Sequence, residues 1–105
     1  MPKGRGREHS TLTETATTVV RELKKIPGIK MIAPGEIRRN RRSTNTSFIT
    51  ATFTTAGFEL LISGQSSQRV AVHTTKNPAV VFALLRDSKR LREFVFKTRE
   101  RKPGI

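Results

Sequence analysis

Four arginines fall within five positions in Glu36-Ile37-Arg38-Arg39-Asn40-Arg41-Arg42. Guanidinium groups held this closely repel one another, and Asn40 offers no countercharge. Bidentate pairing with phosphate oxygens relieves that repulsion and suits the planar fork of arginine. The plain alternative is a solvated basic loop between two strands. Lys30, Arg69 and Lys76 are further cations on the segments that flank this one. The whole chain of 105 residues carries 21 Lys and Arg against 8 Asp and Glu, a net charge of +13. Such an excess is self-repelling unless an anion lies close, so the expected partner is nucleic acid, RNA or DNA, held through its phosphates. General basicity that only aids solubility is the competing explanation.

Catalytic patterns are missing from the sequence. There is no nucleophile elbow, no paired-carboxylate spacing and no glycine-rich phosphate loop, so a non-enzymatic protein is expected. The two imidazoles, His9 and His73, are far apart in sequence, and His73 reads as a surface residue of a strand. Glu8, Glu14 and Glu36 lack the spacing of a calcium loop and sit in a cationic field that opposes cation binding. Without cysteine there is neither a disulfide framework nor a thiolate cage, which fits a reducing compartment. No apolar run reaches membrane-spanning length and the start lacks a secretory signal, so a cytoplasmic location is expected.

The elements that must position these residues follow from periodicity. Thr11-Leu12-Thr13-Glu14 fits a capping box, and Leu12, Ala16, Val19, Val20, Leu23 and Ile26 form one helical stripe that Pro27-Gly28 ends. Ile29 to Ala33 is a short apolar strand, with a turn at Pro34-Gly35. From Thr46 to Thr74 three alternating runs make a meander: Ile49, Ala51 and Phe53; Phe58, Leu60 and Ile62; Val70 and Val72. The turn between the first two has Gly57 at the left-handed position of a three-residue hairpin. No charged residue occurs from Ser43 to Phe58, so the polar face of the first run is neutral. Phe48 is out of phase with Ile49, Ala51 and Phe53; packing under a helix is its plainer role, and stacking on a base its alternative.

Asn77-Pro78 starts a final helix whose buried stripe is Val81, Leu84, Leu85, Ser88, Leu91 and Val95, unless Asp87-Ser88 splits it. The expected architecture is therefore α+β, a two-layer sandwich: an antiparallel sheet of three to four strands, covered on one face by an N-terminal and a C-terminal helix. Residues 10–97 form the domain, between a basic arm at 1–9 and a basic tail at 98–105. This order is similar to that of the double-stranded RNA-binding domain. It departs from that domain in its extra strand and in the single lysine of Lys76-Asn77-Pro78, where that fold carries a basic cluster.

Glu8-His9-Ser10-Thr11 before an amphipathic helix, then Gly28-Ile29-Lys30-Met31-Ile32-Ala33-Pro34-Gly35-Glu36-Ile37 and an arginine-rich turn, resembles a family of small prokaryotic proteins of unknown function described as metal-binding. The similarity runs from about His9 to Thr74. It implies a fold more than an activity and leaves the cofactor unknown, a divalent metal being the candidate and His9 the residue to which a metal role carries over. The chain does not complete the ligand set, having no cysteine and only His73 as a second imidazole. The leading expectation is phosphate binding by Arg38, Arg39, Arg41 and Arg42, helped by Lys30, Arg69 and Lys76. A metal site at His9, or a protein-interaction module using the neutral threonine face, are the alternatives.

Overall fold

The computed structural model of the protein describes residues 12–39 and 46–99. Helix α1 (Glu14–Leu23) begins two residues later than the capping box suggests, because Thr13 is the N-cap: its Oγ1 accepts from the Ala16 amide at 3.0 Å. Thr11 and the arm at 1–9 lie outside the described residues. The helix ends at Lys24, and Gly28 takes φ +92°, a left-handed conformation that glycine adopts without strain.

Strand β1 (Ile29–Arg39) does not stop at Pro34. It is an edge strand, paired only with β4 (Ser66–Thr74), so the missing proline N–H need not cost a ladder bond. A bulge follows: Pro34 lies opposite Val70 and Ile37 opposite Gln68, three steps on β1 against two on β4. The turn expected at Pro34-Gly35 is thus a bulge within a strand. Arg38 and Arg39 belong to that strand, opposite Ser67 and Ser66, and not to a loop. Arg41 and Arg42 lie outside the described residues.

The meander is present as β2 (Phe48–Phe53), β3 (Gly57–Ser63) and β4. Gly57 opens β3 without a positive φ. A Cβ there would collide with the Val72 carbonyl oxygen, so glycine is required by close backbone approach and not by a left-handed turn. Helix α2 (Pro78–Arg86) has Asn77 as its N-cap, whose Oδ1 accepts from the Ala79 amide at 2.9 Å. The helix stops there. A 3-10 turn (Lys89–Leu91) follows, and then β5 (Val95–Arg99), which pairs parallel with β2.

The sheet therefore has five strands in the order β1-β4-β3-β2-β5 and is mixed, where three to four purely antiparallel strands were expected. The helical stripe fails beyond Asp87-Ser88 because the edge of β2 offers unpaired backbone groups: Val95 N donates to Ser47 O at 2.9 Å, and the ladder continues from there. Thr98 and Arg99, expected in the tail, are the last residues of β5. Of the expected stripe, Val81, Leu85 and Leu91 are buried while Leu84 and Val95 are exposed.

One cluster holds the core. Ile49, Ala51, Phe58, Leu60, Ile62, Val70 and Val72 from the strands meet Ala16, Val19, Val20 and Leu23 of α1 and Val81, Phe82 and Leu85 of α2. Phe82 of α2 lies edge-on to Phe53, Phe58 and Phe96, with ring centroids 5.6–5.9 Å apart. Gln68 is the one buried uncharged polar side chain among the described residues, and it joins three elements. It accepts from the Thr13 amide at 3.0 Å and donates to the Gly35 carbonyl at 2.8 Å, satisfying a backbone group that the bulge displaces from the ladder.

Candidate functional site

Successive side chains of a strand alternate between faces, so each strand that feeds the core also presents a second set of residues on the other side. On this outer face the sheet register lines up rows across the strands. The first row runs Arg38, Ser67, Ser63, Phe48, Val95 from β1 to β5. In the second, Arg69 is followed by Leu61, Thr50 and Lys97; in the third, Ala33, Ala71, Glu59, Thr52 and Arg99 stand in line. Met31 and His73 sit opposite each other further along. The face is thus a mixture of cations, small hydroxyls and a few apolar groups.

The bulge decides that Arg38 is part of it. Pro34 shares the core face with Val70, and strict alternation from Pro34 would turn Arg38 inward as well. The extra residue between Pro34 and Ile37 reverses the sense, so that Ile37 follows Gln68 on the core side and Arg38 joins Ser67 outside. Arg38, Arg69, Ser67, Leu61 and Glu36 then line a shallow depression of about 450 Å³. Arg69 Nη1 is also 3.0 Å from Glu59 Oε1, an ion pair open to solvent. Such a pair is worth little and yields readily to a stronger anion.

The cations expected to act together are divided by the fold. Arg38 and Arg69 share the depression, while Arg39 alternates to the opposite side of β1. Lys30 and Lys76 lie at the far end of β1, where the Lys76 stem packs against Gly28 and the Thr75 amide donates to the Gly28 carbonyl at 2.8 Å. Eight residue steps of strand separate Lys30 from Arg38, roughly 26 Å at the usual rise. Lys97 and Arg99, assigned by sequence to a helix end and a tail, instead join the outer face beside β2. The alternation of Val95, Lys97 and Arg99 against Phe96 was the signal that could have found them.

Phe48 is also on this face. The other five phenylalanines belong to the core or pack against it, and Phe48 alone does not, which corrects the expectation that it packs under a helix. Its ring lies beneath Lys97, with Nζ 4.8 Å from the centroid, a cation–π distance.

The described residues do not by themselves make up a metal centre. None of their His, Asp and Glu side chains form a group of three or more able to hold an ion, and the chain has no cysteine. Glu59 is engaged by Arg69, and Glu22 by Lys25 and Ser88. His9, the residue to which a metal role would transfer, lies outside the described residues. No helix among the described residues is long and apolar enough to cross a membrane.

Comparison with known proteins gives one result. A family model described as predicted metal-binding protein (DUF2103) matches residues 2–88, a wider span than the stretch from His9 to Thr74 that carries the sequence motifs. No curated protein and no solved structure matches the chain. Because the family model covers most of its length, the chain belongs to this family of predicted metal-binding proteins.

Proposed function

We propose that the protein, a member of that family, is a non-enzymatic nucleic-acid-binding protein that holds phosphates without reading sequence. The observation that carries this reading is that Arg38, Arg69 and Ser67 line one depression, with Glu36 at its wall, in a chain of net charge +13. Two guanidinium forks and a hydroxyl can hold a phosphate through several charge-assisted hydrogen bonds. Arg39, the last described residue of β1, adds to the field at that end of the sheet. With about five phosphates neutralised, log affinity falls with log salt at a slope of about −4.5 on a duplex and about −3.5 on a single strand. Fluorescence anisotropy of a labelled mixed-sequence oligonucleotide, titrated at several salt concentrations, measures it. Absence of binding at about 50 mM salt, where surface charge is only partly screened, would overturn the reading.

Family membership favours a second reading, metal binding through His9. No group of three or more possible ligands forms among the described residues, so such a site draws on His9 together with whichever residues the fold brings to it. Zinc titration followed by the two imidazole NMR signals tests it. A true site moves His9 to completion at one equivalent; a response only in large excess, or at His73 alone, removes this reading. Under the first reading, chelator treatment leaves nucleic-acid affinity unchanged.

A further inference from the structure

Phosphate binding alone does not account for Phe48. Phe48 lies outside the core and is half-buried, with Val95 directly opposite it on β5 and small side chains on its other flank. Across β3 it faces Ser63, and two residues along β2 on the same face is Thr50. Beyond Ser63 comes Ser67 and then Arg38, so two serines separate the ring from the arginine. Three strand spacings make this hydroxyl-lined path roughly 14 Å long. On the other side Lys97 lies over the half-buried ring, its Nζ 4.8 Å from the centroid, so the ring already receives a cation on one face.

We propose that the outer face of the sheet is a platform for single-stranded nucleic acid, with one base stacked on Phe48 and the flanking phosphates held by Lys97 at one end and by Arg38 and Arg69 at the other. The proposal rests on the phosphate-binding reading and narrows its ligand. Charge complementarity selects a polyanion. The aromatic ring and the apolar Leu61 and Val95 around it select one whose flat, apolar faces are exposed. A duplex offers only phosphates and sugars to a flat sheet and keeps its bases stacked, so it would set Phe48 and Leu61 against charged oxygens. An unpaired strand can place a base on the ring, and sheets with exposed aromatics bind single strands in this way. When the base arrives, the Lys97 ammonium leaves the ring face for a phosphate, and a phosphate in the depression competes with Glu59 for Arg69. Nothing in the arrangement reads base edges, so binding tolerates any sequence.

The chain has no tryptophan and no tyrosine, which makes a direct readout possible. In full-length protein carrying Phe48→Trp, the single indole reports on this position alone, whatever the basic ends of the chain do. Saturating single-stranded 12-mer should quench its emission, since a stacked base lies against it. Inorganic polyphosphate, which has charge and no bases, should compete for the same cations without the quenching that a stacked base gives. In parallel, Phe48→Ala should weaken single-strand affinity by about 5- to 150-fold, the range for loss of one stacked base, and leave duplex affinity nearly as it was. Phe48 is outside the core cluster but half-buried, so Phe48→Trp should melt close to the parent and Phe48→Ala should lose less stability than a core truncation. If the 12-mer binds by anisotropy but neither quenches Phe48→Trp nor distinguishes Phe48→Ala from the parent, the platform is wrong and the phosphate reading stands. Equal quenching by the matched duplex overturns the preference for single strands. If the parent binds no nucleic acid at all, the phosphate reading falls and the platform with it.

Discussion

The two faces of the sheet are made by the same strands from alternate residues, and they differ in nearly every respect. Inward, Ile49, Ala51, Leu60, Ile62, Val70 and Val72 are sealed from solvent by helices and one another. Outward, Thr50, Thr52, Glu59, Leu61, Arg69 and Ala71 are half-buried or exposed, and charges sit beside apolar groups. Packing dictates the first set, since a polar atom there needs a partner and a smaller side chain leaves a cavity. Stability leaves the second set freer, so its arginines, its lysine and its one aromatic ring call for an explanation outside folding.

Adjacent leucines on β3 give the sharpest test of this contrast. Leu60→Ala should destabilise the domain by about 2–5 kcal/mol, whereas Leu61→Ala should cost about 1 kcal/mol or less. Urea unfolding of the two variants, followed by far-ultraviolet circular dichroism, measures both. Equal losses would mean that the faces are not energetically distinct.

Next in size is the polar group on the inner side. Gln68→Met keeps volume and removes both hydrogen bonds, leaving the Thr13 amide and the Gly35 carbonyl without their side-chain partner. A loss of about 1–3 kcal/mol is expected. Hydrogen exchange should quicken at Thr13 in the same variant. A change confined to global stability, with Thr13 protection intact, would show that Gln68 does not tie α1 to the bulge.

Much of the inner face was legible in the sequence, because alternation in β2, β3 and β4 and the stripe of α1 are local patterns with one solution. The outer face was harder to read. Leu91 and Val95 are four residues apart and fit a helical stripe, and nothing near them in sequence announces that β2, more than forty residues earlier, has a free edge. Pro34 suggested the end of a strand, since proline is excluded only from central strands and the sequence does not say that β1 is an edge. The bulge that turns Arg38 outward depends on a partner, Gln68, that lies thirty-three residues from Gly35. So the arginines could be found as a cluster, but not which of them share a face.

Removing the outer cations should separate binding from folding. With Arg38→Gln and Arg69→Gln together, the salt slope on single strands should become shallower by about 1.4, two contacts at about 0.7 each. Thermal melting should place stability within about 0.5 kcal/mol of the parent, because exposed charges contribute little to folding. An unchanged slope would take these two residues out of any phosphate site. A large loss of stability would mean instead that the outer face is structural.

The smallest contrast sets one carboxylate from each region against the other. Glu59, on the outer face, meets Arg69 in solvent, and Glu59→Gln should change stability by no more than about 1 kcal/mol. Glu22 of α1 is buried, with its Oε1 accepting from the Ser88 hydroxyl at 2.8 Å and its Oε2 3.1 Å from Lys25 Nζ. The Ser88 hydroxyl first, and then Lys25, hold the Glu22 carboxyl below its ordinary pKa, outweighing the opposing effect of burial. A folded-state pKa below the unfolded one means that the unfolded chain binds the proton more readily. The stabilisation is therefore fully present above the ordinary glutamate value of about 4.3 and drains away as pH falls toward the lower folded value. Urea midpoints measured from pH 6 down to pH 3 should decline in the parent, and Ser88→Ala should flatten that decline by letting the Glu22 pKa move back up. If Ser88→Ala follows the parent curve at a constant offset, the hydroxyl does not set the ionisation of Glu22, and its contact is packing only.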